Sequence, residues 1–192
     1  MLKLAVFISG GGTNLQALID ACRARTINAE IAAVISNNAK AFGLERARTA
    51  GIPVFHISKI KFPAEEQYLS MIRRTLRQAE INLVVLAGYM KLLPPDVVRD
   101  YYGRVINIHP ALLPKYGGQG MYGMQVHQAV LAAGDKYSGA TVHIVDEHYD
   151  RGPILIQRRV PVEKDDTPET LAARVLKIEH QILPMAVALY RS

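Results

Sequence analysis

The chain has 192 residues, 49% of them hydrophobic and 21% charged, and a formal net charge of +6. That composition is globular and excludes a disordered or low-complexity chain, and the length suits a single domain, read as residues 1–192. With one cysteine, Cys22, no intrachain disulfide can form, and a reduced, cytoplasmic compartment is expected.

The basic residues are scattered, with small groups at Arg73, Arg74, Arg77 and at Arg158, Arg159. They read as solvated faces rather than a nucleic-acid surface, although a mild positive field favours anionic small molecules. No apolar run approaches the roughly 20 residues of a membrane span. Leu2–Ser9 is apolar enough for a signal core, but a glycine run follows it at once without a small-residue cleavage pattern. The expected partners are therefore small molecules, not nucleic acid or membrane. Composition says nothing of oligomeric state.

Leu2–Ser9 reads as a strand covered on both faces. Gly10, Gly11 and Gly12 break it, and Thr13 and Asn14 can cap a helix whose buried stripe is Leu15, Leu18, Ile19 and Cys22. Ala29–Ser36 is a second strand, Phe42–Ala50 a short helix ended by Gly51, and Ile52–Ile57 a third strand. Ala64–Ala79 is a helix with Tyr68, Ile72 and Leu76 on one stripe. The apolar run Leu83–Ala87 is a central strand. Gly88–Leu93 leaves its carboxyl end, and Pro94 and Pro95 open a short helix.

Arg104–Tyr116, R-V-I-N-I-H-P-A-L-L-P-K-Y, holds the next strand. Alternation puts Asn107 and His109 on one face, Ile106 and Ile108 on the other. Pro110 holds His109 extended at the strand's end. A loop to Met124 follows, then a helix Gln125–Ala133. Strands Thr141–Val145 and Ile154–Val160 form an antiparallel hairpin, and Thr167 caps a last helix running to about Tyr190, with Pro168 in its first turn. The implied fold class is α/β: a doubly wound, mostly parallel sheet with one antiparallel excursion near its C-terminal part.

Ligands of such sheets bind at the carboxyl ends of the strands, where Asn107 and His109 lie. They either carry chemistry or merely tie down the following loop. The glycine turn S-G-G-G-T-N opens a helix and suits a phosphate, or is a tight turn needing glycine for its dihedrals. It is neither a dinucleotide fingerprint nor a Walker loop: Leu15 stands where the third glycine would be, and no G-K-[ST] follows. Asp150, in D-E-H-Y-D-R-G-P, either returns to the sheet edge beside His109 or is a turn residue. In the first case its carboxylate is expected to outweigh burial and keep His109 protonated, so that imidazolium and amide stabilise an oxyanion. His143 and His148 lack the partners of a metal site, and no metal is expected. G-x-S-x-G is absent, so attack by a substrate group is the simplest mechanism.

The chain closely resembles the phosphoribosylglycinamide formyltransferase family of folate-dependent enzymes. The resemblance rests on Ser9–Asp20, Ser36–Ala47, Val84–Leu93, N-I-H-P-A-L-L-P-K-Y at Asn107–Tyr116, and D-R-G-P-I-L at Asp150–Leu155. It implies the formyltransferase fold and transfer of formyl from 10-formyltetrahydrofolate to the amine of N1-(5-phosphoribosyl)glycinamide, in purine synthesis, without a metal. It also implies that Asn107 and His109 hold the formyl oxygen, with Asp150 serving His109 and the proton relay. By the same resemblance Gly12, Thr13 and Asn14 cradle the phosphate, and Leu176, Lys177, Ile178 and Glu179 close on the nucleotide. The folate pocket would be Met90, Lys91, Leu92 and Leu93 with Asp146, Glu147, His148, Tyr149 and Asp150, next to Asn107.

Two stretches depart from the family. Ala64-Glu65-Glu66 stands where an arginine often reaches the folate, and Gly117–Met124 is longer than the common loop, which has a proline after the tyrosine. Methionyl-tRNA formyltransferases and formyltetrahydrofolate deformylases share the Asn/His/Asp set but carry an added C-terminal or N-terminal domain, so this chain is expected to be neither. A formyltetrahydrofolate hydrolase and a non-catalytic nucleotide-binding module remain the alternatives.

Overall fold

The computed structural model describes residues 1–147 and 150–191, so the folate contacts expected of His148 and Tyr149 lie outside the described residues. Seven strands and six helices follow in order: β1 (Leu2–Ile8), α1 (Thr13–Arg23), β2 (Ala29–Ser36), α2 (Phe42–Thr49), β3 (Val54–His56), α3 (Glu65–Gln78), β4 (Leu83–Leu86), α4 (Pro95–Asp100), β5 (Val105–His109), α5 (Met124–Ala132), β6 (Tyr137–Ile144), β7 (Ile154–Pro161) and α6 (Pro168–Val187). The sheet order is β3-β2-β1-β4-β5-β6-β7. All pairs are parallel except those of β6, which runs antiparallel to both β5 and β7. This is the doubly wound sheet with one antiparallel excursion that the order of elements implies.

Both faces of the sheet are covered. Leu4, Val6 and Ile8 of β1 pack with Leu15 and Leu18 of α1 and with Leu171 and Val175 of α6. Ala5 and Phe7, on the opposite face, pack with Tyr68, Ile72 and Leu76 of α3. Such two-sided burial is what makes β1 a nearly continuous apolar run. In β5, Ile106 and Ile108 enter the α1–α6 layer, which leaves Asn107 and His109 to the other side. From β1 the chain winds outward to β2 and β3, then returns across β1 to β4. The connections diverge at that switch point, opening a crevice at the carboxyl ends of β1, β4 and β5.

Three local expectations change. Thr13 and Asn14 do not cap α1; the N-cap is Gly12, in the left-handed region at φ 70, with no side-chain cap. Strand β6 begins at Tyr137, not Thr141. Ser138, Gly139 and Ala140 are poor strand formers, but pairing with β7 overrides propensity, and a Cβ on Gly139 would lie 2.1 Å from the Arg158 carbonyl oxygen. Strand β3 is shortened to Val54–His56. The Thr167 cap of α6 forms as expected, reciprocated by Thr170. Cys22 is half-buried against the core, and burial pushes its thiol up to about 11, so it stays an inert thiol at neutral pH.

Candidate active site

Asn107, His109 and Asp150 meet although 43 residues separate the first from the last. β5 supplies two of them from alternate positions of one face. Asp150 comes from the link between β6 and β7 and is held at φ 53, a left-handed conformation that Asp tolerates better than most residues. Asn107 Nδ2 donates to Asp150 Oδ1 at 3.3 Å, and His109 Nδ1 lies 3.6 Å from Asp150 Oδ2. The Gly118 N–H donates to the same carboxylate at 3.0 Å. His109 Nε2 donates to the Tyr116 carbonyl at 2.7 Å, since a carbonyl can only accept.

Burial works against the Asp150 carboxylate, but the neighbouring His143, the charge of His109 and the Gly118 N–H outweigh it, and its pKa falls below the ordinary value. Asp150 is ionised at neutral pH. His109 goes the other way from expectation. Burial pushes its pKa down, and Asp150 and the Tyr116 carbonyl, which push it up, do not compensate; His143 lowers it further. The ring is only 4% exposed, and the hydration lost there exceeds what a carboxylate at 3.6 Å returns. His109 is thus held largely neutral near pH 7, and Asp150 limits that depression rather than reversing it.

The three residues line a cavity of about 770 Å³, within the usual range for small-molecule sites. One side carries Gly10 and Asn14 of the glycine turn with Leu176 and Glu179 of α6. Asn14 Nδ2 donates to Glu179 Oε2 at 2.7 Å, and burial raises the Glu179 pKa more than this hydrogen bond lowers it. Of the other residues expected here, Gly12 and Thr13 are partly exposed and are not part of the lining. Lys177 is exposed and Ile178 packs on the core, because helical spacing brings only Leu176 and Glu179 of this run to the cavity. The other side is walled by Met90, Lys91, Leu92 and Leu93 with Leu86 and Val145, a largely apolar slot that suits a flat aromatic ring. Asp146 and Glu147 stand outside the lining, and Glu147 pairs with Arg99 at 3.0 Å.

The family described as formyl transferase matches residues 2–187. The chain belongs to the formyl transferase family. It is 46% identical to a chloroplastic phosphoribosylglycinamide formyltransferase of Vigna unguiculata over 94% of its length, and spans 58% of that protein. It is 42% identical to the phosphoribosylglycinamide formyltransferase of Escherichia coli, covering 97% of this chain and 86% of that one. The solved structure of glycinamide ribonucleotide transformylase 1 from Symbiobacterium toebii superposes with a TM-score of 0.92 at 41% identity, covering 98% of this chain and 87% of that chain. The chain thus spans less than two thirds of the length of some curated relatives and most of others.

Within this formyl transferase chain, sequence reasoning left the place of three elements in the site unassigned. His143 Nε2 lies 3.1 Å from Asn107 Nδ2 and 3.4 Å from Asp150 Oδ1, while its Nδ1 donates to the Ile144 carbonyl at 3.0 Å. In its neutral form His143 therefore accepts from Asn107 and fixes which way the amide faces. The signal was a lone imidazole in an apolar strand, but its meaning depends on the β5–β6 register, which sets His143 opposite Asn107. The second is the long loop, which binds His109 and Asp150 through main-chain groups of Tyr116 and Gly118 that side-chain chemistry does not announce. The third is His127 of α5, buried on the cavity wall.

Proposed function

We propose that this chain, as a single catalytic domain in the cytoplasm, transfers the formyl group of 10-formyltetrahydrofolate to the amine of N1-(5-phosphoribosyl)glycinamide. One observation carries the reading: Asn107, His109 and the ionised Asp150 line one cavity between a glycine turn on one side and an apolar slot on the other. The glycine turn and α1 N-terminus suit the substrate phosphate, Asn14 and Glu179 its sugar, and Met90–Leu93 the pterin. The substrate amine attacks the formyl carbon, forming a C–N bond and turning the carbonyl oxygen into an oxyanion. Asn107 donates to that oxygen, and His109 stabilises it through the fraction of the ring present as the imidazolium. The bond from carbon to the folate nitrogen then breaks. A proton lost by the attacking nitrogen passes, through water held by Asp150, to the leaving nitrogen. The names of the relatives support formyl transfer to the same acceptor.

The test is formation of tetrahydrofolate with and without glycinamide ribonucleotide. Product should form only when the nucleotide is present, because the nucleophile belongs to it. Rapid release without it would favour the hydrolase, and no release in either case the non-catalytic module.

A further inference from the structure

Helix α2 is built onto the glycine turn. The Gly43 N–H donates to the Gly10 carbonyl at 3.0 Å, and Arg46 Nε donates to the Gly11 carbonyl at 2.9 Å. A Cβ on Gly12 would lie 2.6 Å from Gly43 Cα, so the two backbones touch. Arg46 is itself fixed, with one Nη 3.3 Å from Gln16 Oε1 and its guanidinium 5.1 Å from the centre of the Phe42 ring. In a trans peptide the carbonyl and the following N–H point in opposite directions. With the Gly10 and Gly11 carbonyls drawn to α2, the N–H groups of Gly11 and Gly12 face away from it. Among the described residues, none of the N–H groups of Gly11, Gly12 and Thr13 donates to an acceptor of the chain. Helix α1 has no acidic residue in its first turn to offset its dipole. A separate observation points to a ligand here: Asn14 is 7% exposed on the cavity wall, and its Oδ1 is buried without a partner, an acceptor left unfilled by the chain.

We propose that Arg46 is a positioning residue for phosphate recognition, which by holding the Gly11 carbonyl turns the Gly12 N–H toward the substrate phosphate and adds a fixed positive charge behind it. This rests on the proposed nucleotide substrate and concerns a residue outside the cavity lining. Arg46 contributes to affinity for the phosphorylated substrate and not to the chemical step.

The test compares glycinamide ribotide with the unphosphorylated riboside on the wild type, Arg46→Met and Arg46→Lys, with folate KM and thermal midpoint measured on each. Wild type should bind the ribotide far more tightly. Arg46→Met should reduce that preference about tenfold or more, the scale of one charge-assisted hydrogen bond, with riboside binding and folate KM nearly unchanged. Arg46→Lys, which keeps charge and donor, should retain most of the preference. An Arg46→Met protein with the wild-type preference overturns the role of Arg46 and leaves the phosphate site standing. A wild type without any preference overturns the phosphate reading itself. Equal weakening of ribotide, riboside and folate with a lower midpoint reduces Arg46 to a packing residue. Should Arg46→Met fail to fold, Arg46→Gln is judged by the same ratio, and an unchanged ratio again overturns the proposal.

Discussion

Replacing Asp150 by Asn keeps the side-chain volume and removes one charge 3.6 Å from His109 Nδ1. Coulomb's law at that separation gives roughly 1 kcal/mol in bulk water and about 4–5 kcal/mol at an effective dielectric constant of about 20. His109 is 4% exposed but lies on a cavity wall, so the effect falls between these limits. The substitution therefore lowers the already depressed His109 pKa further. Near pH 7.5 both proteins are on the neutral side of His109, so the protonated fraction falls in proportion. The expected loss of kcat is on the order of 10²-fold, the scale of losing an oxyanion donor.

The assay is kcat from tetrahydrofolate formation across a pH series, with the His109 imidazole titrated by NMR in parallel. Wild-type kcat should rise as pH falls toward the His109 pKa, until protonation of the substrate amine removes the nucleophile. The Asp150→Asn profile should be displaced to lower pH, so part of the loss is recovered on acidification. KM for the nucleotide should change little, because the glycine turn does not touch Asp150. Near-normal kcat at neutral pH would return Asp150 to a turn residue. An equal loss at every pH would mean that it acts through the geometry of Asn107 and Gly118 rather than the charge of His109.

Gly12→Ala forces a Cβ to 2.6 Å from Gly43 Cα at a φ of 70, so the turn must shift. KM for the nucleotide should rise, and urea unfolding should show a loss of about 1–3 kcal/mol from overpacking and strain; an unchanged KM would move the phosphate elsewhere. His143→Ala frees the Asn107 amide to rotate, and kcat should fall roughly tenfold, less than on removing a donor outright. His143→Gln, which can still accept from Asn107, should restore part of it, and unaltered kcat in both variants would make His143 a packing residue. Asp166 accepts from Arg174 at 2.6 and 2.9 Å, and that pairing is the main cause of its lowered pKa. A depressed carboxylate stabilises the fold fully above its unfolded pKa of about 3.8 and loses that contribution as pH falls toward the folded value. Asp166→Asn should therefore lower the urea midpoint most at pH 7, with a deficit that shrinks only below about pH 4 and is much smaller at about pH 2; an equal deficit at pH 7 and at about pH 2 would refute the ion-pair account.

Most of the fold is local in origin and therefore legible. The β1 run needs no partner to be recognised as doubly covered, and α1 shows its buried stripe in Leu15, Leu18 and Ile19. Pro110 fixes the end of β5 at His109 through its own sterics. Local rules fail where a tertiary contact decides. No propensity scale reads Ser138-Gly139-Ala140 as strand; the β7 backbone lying against Gly139 does. Thr13 offers a hydroxyl for the α1 cap, but close contact with α2 puts Gly12 there in a left-handed conformation that only glycine takes readily.

The site divides along the same line. Asn107 and His109 are legible together because a strand's alternation is a two-residue rule. The sign of the His109 shift is not, because two opposing influences decide it and each depends on distances set by distant segments. The Asp150 charge raises the pKa through a 3.6 Å separation produced by the β6–β7 link, while burial lowers it through the walls that α5 and the long loop build around the ring. Motif reasoning supplies the carboxylate and can name burial as its opponent, but it does not show how closely the walls surround the ring, so it weighs the two in the wrong order. His143 fails for a related reason. In a parallel continuation of the sheet, the strand beside β5 would run the other way along the edge, with another register. Only the reversal of β6 sets His143 directly across from Asn107, where an imidazole nitrogen can accept from the amide. The antiparallel excursion is therefore part of the active site: it brings the residue that orients Asn107 and, through the link that follows, the carboxylate that acts on His109.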